Sequence, residues 1–402
     1  MSFKYDVCVI GGLGHVGLPL GLSFANKNIK TILYDINKDA INLVKNKVMP
    51  FMEQGAEEIL KTTLDKTLFV TDDRDVVKDS KFIVIVIGTP VDEHLSPNFV
   101  LFRDFFSRFI NLFSDNQHII LRSTVYPGTT ERIIDYLRKS NLKTRVSFCP
   151  ERIAQGYAIK EISTLPQIIS SEDDSSFSEA EKLFKIITSE VIRLSFMEAE
   201  LAKLFTNVYR YIKFSIANQF YQIATQNNLD FYKIYDAIVY NYPRAKDLPR
   251  AGFTAGPCLF KDTMQLAAFS KNNFFLGHAA MLVNEGLPYF LVEQLKQRIS
   301  LENKTVGILG MAFKPDSDDK RESLSYKLKH ILEFENCTLL CSDPFIKDPR
   351  FLSEDELIEK SDIIFIGCPH SKYNNLEIPD EKILIDPWNT MFKKDFKNKK
   401  QI

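Results

Sequence analysis

The feature that most constrains the fold is the N-terminal run YDVCVIGGLGHVG, residues 5–17. Its first part, YDVCVI (5–10), has the continuous apolar character of a buried strand, and the glycines lead into a helical pattern, LPLGLSFANKN. Gly12, Gly14 and Gly17 stand in G-x-G-x-x-G spacing, with His15 and Val16 between the last two and Gly11 just before the first. Between a strand and a helix, that spacing has a physical meaning. The first glycine allows a tight turn, the second lets backbone approach a pyrophosphate, and the third lets helix and strand pack closely. The phosphates then meet the helix N-terminus. A second strand, KTILYD (30–35), ends in Asp35. An acid there accepts hydrogen bonds from the adenosine ribose hydroxyls and repels a 2′-phosphate, which predicts NAD rather than NADP. Outside this context the same residues would be a glycine turn and a surface acid.

The parallel α/β rhythm continues through FIVIVIGTP (82–90), HIILRST (118–124) and RVSFCPE (145–151). These strand ends carry Thr89-Pro90, Ser123-Thr124 and Pro150-Glu151. Each could be an ordinary strand–loop junction, but ligands of open parallel sheets lie beyond the carboxyl ends of the strands. At 402 residues the chain exceeds one typical core, so two or three domains are expected. A net charge of −1 argues against nucleic-acid or anionic-membrane binding through bulk charge. The longest β-like apolar run, FIVIVIG (82–88), is too short to span a bilayer. Glycines interrupt the first apolar run, so no signal-peptide pattern is present. Six cysteines, at 8, 149, 258, 337, 341 and 368, make no disulfide framework, and Cys337 and Cys341 lack metal-site companions. Reduced thiols in a cytoplasmic protein without a metal are expected.

The middle of the chain changes character. From about 198 to 227 there is no glycine or proline, and apolar residues recur at helical spacing. One long helix is predicted, carrying Lys203 and Asn207 one turn apart on the same face. On an anonymous helix these two would be a solvated lysine and a surface amide. A second helical stretch is predicted over 262–300. Before it stands GFTAGPCLFKD (252–262), where Cys258 is either a small packed hydrophobe or a thiol open to a ligand. The last hundred residues return to an α/β rhythm with KTVGILG (304–310), CTLLCSDP (337–344), SDIIFIGCP (361–369) and KILIDPW (382–388). This half has no G-x-G-x-x-G and offers Lys314 and Arg321 in its first loop, which suits phosphates bound by charge.

Taken together, these motifs resemble the UDP-glucose/GDP-mannose dehydrogenase family of NAD-dependent nucleotide-sugar 6-dehydrogenases over residues 5–390. The resemblance rests on GLGHVGLPLG, STVYPGTT (123–130), PERIAQGYAIKE (150–161), AELAKLFTN (199–207), GFTAGPCLFKD and GMAFKPDSDDKRES (310–323). It implies two doubly wound Rossmann-like domains joined by a long central helix and a small helical middle domain. The boundaries expected are 1–195 for the NAD-binding domain, 196–300 for the middle and 301–402 for a UDP-sugar-binding domain. It further implies a four-electron oxidation of C6 from alcohol through aldehyde to acid, using two NAD and serving surface polysaccharide precursors. The second oxidation would pass through a thiohemiacetal and a thioester on Cys258. Lys203 and Asn207 would stabilise oxyanions, Asp262 would orient water or assist proton transfer, and Thr124 and Glu151 would hold and activate the hydrolytic water. The cofactor set implied is Gly12, Gly14, His15, Val16, Gly17, Asp35, Thr89, Pro90, Ser123, Thr124 and Arg321. The substrate set is Glu151, Arg152, Lys203, Asn207, Arg244, Phe253, Gly256 and Lys314. Arg250 competes with Arg244 for the substrate role, and a homodimer or larger homo-oligomer is implied.

Which sugar is oxidised divides the motifs. YPR (242–244), PER (150–152) and PHSKY (369–373) look like the UDP-N-acetylhexosamine branch, of N-acetylmannosamine or N-acetylglucosamine type, which is favoured. GYAIKE and KDTMQLAAF look more like the UDP-glucose branch. The chain departs from both where AGPC replaces the usual Gly-Gly-Ser-Cys or Gly-Gly-His-Cys, and where Trp388 stands in place of a frequent arginine. Two other classes remain: a two-electron β-hydroxyacid dehydrogenase, which needs neither the thiol nor a second nucleotide domain, and a non-catalytic NAD-binding protein.

Overall fold

A computed structural model describes residues 3–89, 99–254 and 256–391. The described residues form twelve strands and thirteen α-helices, divided between two compact units, Met1–Thr206 and Asn207–Ile402. In the first unit the chain runs β1 (Tyr5–Ile10), α1 (Gly17–Ala25), β2 (Thr31–Tyr34), α2 (Lys38–Lys45), α3 (Ala56–Thr63), β3 (Leu68–Thr71), β4 (Ser80–Ile85) and α4 (Phe99–Phe109). It continues through β5 (His118–Leu121), α5 (Thr129–Lys139), β6 (Arg145–Phe148), α6 (Ala158–Thr164), β7 (Gln167–Ser171), α7 (Asp174–Phe184) and β8 (Val191–Arg193). These strands make one sheet in the order β3-β2-β1-β4-β5-β6-β7-β8. It is parallel from β3 to β6, β7 pairs antiparallel with β6, and β8 runs parallel to β7.

The strands are apolar throughout because both faces of the sheet are covered. Val7, Val9, Leu33, Val84 and Ile120 pack in one core, while Cys8, Ile10, Ile83, Ile85 and Ile119 pack in another on the opposite face. The expected doubly wound sheet is therefore present, with ligand-facing ends at residues 86–89, 122–125 and 149–152.

The long helix α8 (Phe196–Gln226) begins in the first unit and ends in the second. Its start is tied down by Glu200, which accepts hydrogen bonds from the Gly128 N–H (2.5 Å), the Thr130 N–H (2.8 Å) and the Thr130 hydroxyl (2.6 Å). Helix α5 has Gly128 as its N-cap residue and no side-chain cap of its own, so Glu200 supplies the missing acceptor.

The second unit continues with α9 (Phe231–Val239), α10 (Leu259–Phe269), α11 (Phe275–Lys296), β9 (Thr305–Leu309) and α12 (Leu324–Glu333). It ends with β10 (Thr338–Ser342), α13 (Glu354–Lys360), β11 (Ile363–Ile366) and β12 (Ile383–Ile385). The four strands form a parallel sheet in the order β10-β9-β11-β12. One expectation is corrected here. The predicted helical stretch 262–300 is two helices, because the chain turns between α10 and α11, where Lys271 and Asn272 take left-handed φ values of 56° and 60°. Asparagine enters that region at lower cost than most residues, and a helix cannot continue through it.

Candidate active site

The loop from β1 to α1 separates glycines required by the protein from one that is not. A Cβ on Gly12 would lie 2.8 Å from Leu33 Cβ and from Val9 O, and one on Gly17 would lie 2.3 Å from Gly11 O. Gly14 is exposed, and a Cβ there would meet nothing nearer than Gly11 O at 3.8 Å. Packing explains the first and third glycines; nothing within the described chain requires the second, which leaves the backbone open to approach from outside. Helix α1 also starts with Val16 at its N-cap and no side-chain cap; the Leu18 N–H donates to the Gly14 carbonyl (3.0 Å) and Pro19 carries no N–H, so no side chain occupies the position an anion would take at this helix start. The loop fits a dinucleotide pyrophosphate. His15 stacks on Phe51 with ring centroids 4.0 Å apart. Asp35 steadies the loop: Oδ2 accepts from the Leu13 N–H (2.9 Å) and Oδ1 from the Asn37 N–H (3.0 Å). Each oxygen retains a lone pair for a ribose hydroxyl.

The ends of β4 and β5 are stitched together by the predicted residues. Ser123 Oγ accepts from the Ile87 N–H (2.9 Å) and donates to the Ile87 carbonyl (2.7 Å), and the Thr89 hydroxyl donates to the Thr124 carbonyl (2.6 Å). Pro90 lies outside the described residues. Beyond β6, Glu151 Oε1 accepts from the N–H groups of Arg152 (2.7 Å) and Ile153 (3.0 Å), while Oε2 pairs with the Arg122 guanidinium. Arg122 is 2% exposed and also donates to Cys149 O (3.1 Å) and Gln167 Oε1 (2.9 Å). Sequence reasoning missed this arginine, whose signal was a cation closing the apolar strand HIILR. Arg152 donates to the Pro166 carbonyl, and burial draws its pKa down. Cys149 is fully buried, and that burial pushes its thiol up to about 12, so it has no appreciable thiolate near neutrality.

On α8 neither Lys203 nor Asn207 is solvated: they are 9% and 5% exposed. Within the second unit, Asn207 Nδ2 donates to Asp262 Oδ2 (2.5 Å), and the Lys261 ammonium lies 2.7 Å from Asp262 Oδ1. Cys258 is the residue at the start of α10, and its carbonyl accepts from the Asp262 N–H (2.9 Å). Asp262 is wholly buried, whereas Cys258, one turn away, is exposed. The thiol is thus not a packed core group.

The loop before Cys258 rests on the loop after β9. Gly256, at φ 104°, leaves room for the Phe313 ring, which a Cβ would meet at 2.6 Å, and its N–H donates to Glu322 O (3.3 Å). Lys314 Nζ lies 6.0 Å from the Phe313 ring centroid. Arg321 is held by Asp319 through Nε (2.9 Å) and Nη2 (2.6 Å), and it lies within electrostatic reach of Cys258. Phe253 is buried in the core of the second unit. The two candidate arginines differ. Arg250 stacks over Tyr232 and Tyr235 and donates to the Trp388 carbonyl (3.3 Å), whereas Arg244 is exposed and bonds only locally to the Tyr242 hydroxyl (2.8 Å) among the contacts described. The Trp388 indole lies against Gly252, where a Cβ would come within 2.3 Å of it.

Three family models of the UDP-glucose/GDP-mannose dehydrogenase family match in succession: the NAD binding domain over residues 5–188, the central domain over 197–285 and the UDP binding domain over 307–393. The chain belongs to this family. As a member of the UDP-glucose/GDP-mannose dehydrogenases it is an NAD-dependent UDP-sugar dehydrogenase, an oxidoreductase. It is similar to a UDP-N-acetyl-D-mannosamine dehydrogenase of Methanocaldococcus jannaschii, at 28% identity over 94% of this chain and 88% of that one. Among solved structures it resembles a UDP-D-ManNAc dehydrogenase from Pyrococcus horikoshii, with a TM-score of 0.90, 26% identity and coverage of 98% and 97%. A UDP-glucose dehydrogenase from Pyrobaculum islandicum shares the fold, with a TM-score of 0.86 at 23% identity and coverage of 97% and 95%. Among the described residues no helix is long and apolar enough to cross a membrane. Among the same residues no three His, Cys, Asp or Glu side chains gather where they could hold a metal ion.

Proposed function

We propose that this chain oxidises C6 of UDP-N-acetyl-D-mannosamine to the uronic acid in two successive steps, with Cys258 holding the sugar covalently between them. The observation that carries the proposal is an exposed thiol one turn before a buried carboxylate that is hydrogen-bonded to Asn207. NAD, when bound, accepts a hydride at each oxidation. The chain's own residues do the rest. The glycine loop and Asp35 seat the cofactor, leaving the ends of β4 and β5 beside it. Lys203 and Asn207 donate to the sugar oxygen as negative charge develops, a contribution whose loss typically costs on the order of 10²–10³ in rate. The Cys258 thiolate adds to the aldehyde carbon to give a thiohemiacetal; oxidation converts this to a thioester, and water releases the acid and the thiol. Asp262, fixed by Asn207 and Lys261, assists proton transfer from the oxygen on that carbon, and Thr124 with Glu151 orients the water. Lys314 and Arg321 bind the diphosphate by charge.

The sugar assignment follows the relatives from Methanocaldococcus jannaschii and Campylobacter jejuni, both named UDP-N-acetyl-D-mannosamine dehydrogenases. The three-part organisation 1–195, 196–300 and 301–402 belongs to the same proposal, supported by the limits of the family matches. So does a homo-oligomer. Tyr209, Ile216, Phe220 and Ile223 form an exposed apolar stripe along α8 that a second copy would cover. The test is incubation with NAD and UDP-N-acetylmannosamine, UDP-N-acetylglucosamine, UDP-glucose or GDP-mannose. Two NADH per sugar consumed, fastest with UDP-N-acetylmannosamine, is expected. One NADH per sugar with free aldehyde accumulating would refute the covalent mechanism.

A further inference from the structure

The loop that carries Cys258 is fastened at its origin by a buried amide relay. Gly252, six residues before the thiol, donates its N–H to Asn218 Oδ1 (2.8 Å) and accepts from Asn218 Nδ2 at its carbonyl (3.1 Å). One side-chain amide thus pairs with both backbone groups of one residue, as a strand neighbour would. The second Nδ2 hydrogen of Asn218 goes to Asn284 Oδ1 (2.9 Å), and Asn284 Nδ2 donates to the Tyr211 carbonyl (3.1 Å). Asn218 and Asn284 are both wholly buried.

The direction of the relay is determined by its far end. The Tyr211 carbonyl can only accept, so Asn284 must present its amide nitrogen there and its oxygen to Asn218. Asn218 must then present its nitrogen to Asn284 and its oxygen to the Gly252 N–H. A flip of either amide would set two acceptors or two donors face to face between wholly buried side chains. The other side of Gly252 is closed by the Trp388 indole, and the φ of 146° at Gly252 excludes a side chain. Trp388 is itself held by its backbone N–H to Asp386 Oδ1 (3.1 Å), by its indole N–H to the Gly367 carbonyl (3.3 Å) and, next to it, by the Tyr232 hydroxyl to the Pro387 carbonyl (2.5 Å). Asn218 lies on α8, three turns beyond Asn207, so the clamp ties the thiol's loop to the helix that carries the oxyanion donor.

We infer that Asn218, oriented by Asn284, is the positioning residue that fixes the Cys258 loop in register with Asn207. This rests on the covalent role proposed above for Cys258. Releasing the clamp lets the loop shift by a fraction of an ångström to an ångström, enough to slow a step that depends on thiol placement by on the order of 10²-fold. The first oxidation, which does not need the thiol, is spared.

Asn218→Asp keeps the size of the side chain and the acceptor for the Gly252 N–H but loses both donations. Asn284→Asp places the same carboxyl in the same buried cluster yet still accepts from Asn218, so it controls for the cost of a buried charge. With NAD and UDP-N-acetylmannosamine, Asn218→Asp is expected to fall from two NADH per sugar consumed toward one. Aldehyde should be captured by hydroxylamine, and the rate of Cys258 alkylation by iodoacetamide, mapped by mass spectrometry, should change. Asn284→Asp is expected to keep its ratio nearer two. Should Asn218→Asp not fold, Asn218→Ser carries the same comparison. Two NADH per sugar and an unchanged alkylation rate in the Asn218 variant would overturn the inference, as would equal impairment in both aspartate variants. Cys258→Ala run alongside separates the failures: two NADH per sugar there would overturn the covalent reading itself.

Discussion

Two single-methyl additions distinguish a glycine that serves the fold from one that serves the cofactor. In Gly17→Ala the new Cβ stands 2.3 Å from Gly11 O and 2.9 Å from Gly12 Cα, both backbone atoms. An ordinary contact begins near 3.4 Å, so α1 and the loop must part by roughly 1 Å, an overpacking that typically costs about 1–3 kcal/mol. For a unit of this size that lowers the melting transition by roughly 2–12 °C. NAD binding should weaken with it. In Gly14→Ala the nearest atom is 3.8 Å away, so the fold is untouched and the smaller freedom of the unfolded chain can even stabilise it by about 0.4–1 kcal/mol. The methyl nevertheless occupies the space through which the pyrophosphate approaches the backbone. Loss of one charge-assisted hydrogen bond is worth about 1.5–3 kcal/mol, or roughly ten- to hundredfold in the NAD dissociation constant. The assay is a thermal melt of each variant without ligand, followed by a fluorescence titration with NADH. Gly14→Ala should melt like the parent and bind poorly. If it binds NADH as the parent does, the loop does not cradle the cofactor and the reasoning fails.

Asp35→Ala should relax the preference for NAD over NADP, read as the ratio of kcat/KM for the two cofactors; equal use of both by the parent would contradict the role of Asp35. Asp262→Ala leaves the Asn207 amide and the Lys261 ammonium facing a buried void. Turnover should fall on the order of 10²–10³-fold, with the KM for NAD little changed; parent-like kcat would remove Asp262 from the mechanism. Burial raises the Asp386 carboxyl to about 6, so the folded state holds that proton more tightly than the unfolded chain. Its stabilising contribution is complete below the unfolded pKa of about 4 and is lost as pH rises through about 6. Melting temperatures of the parent and Asp386→Asn should therefore converge or cross over that window, and a constant difference across it would rule out titration of Asp386.

Much of the fold was legible because single residues reported their surroundings. The apolar run YDVCVI and the glycines after it could only be a strand entering a tight turn, and β1 occupies Tyr5–Ile10. The glycine- and proline-free stretch gave α8, within two residues at either end. Less legible was the break between α10 and α11, because helical periodicity resumes on both sides of it and only the left-handed Lys271 and Asn272 mark the turn. The antiparallel step to β7 left no local trace, since it depends on which strand edge was still open. In the site, Cys258, Lys203 and Asn207 stood out through their motifs. Arg122 did not, because its pairing with Glu151 exists only once β5 and β6 lie side by side. The Asn218 clamp was hidden for the same reason: its partner Gly252 is 34 residues away, and neither residue is unusual in isolation.

A covalent bond to Cys258 is the centre of the proposed chemistry, and mass spectrometry of Cys258→Ser after incubation with NAD and UDP-N-acetylmannosamine tests it. Serine is close in size and can still add to the aldehyde, but it has almost no anion near neutral pH and forms an ester rather than a thioester. Oxygen donates more strongly into an acyl carbonyl than sulfur, so that ester resists water. Cys149→Ser serves as the control, since the buried Cys149 thiol, pushed up to about 12, is no nucleophile. A covalent role for Cys258 requires collapsed turnover in Cys258→Ser, with a substoichiometric sugar adduct on the substituted side chain, and full turnover in Cys149→Ser. Sustained multiple turnover by Cys258→Ser, or loss of activity only on changing Cys149, would contradict it.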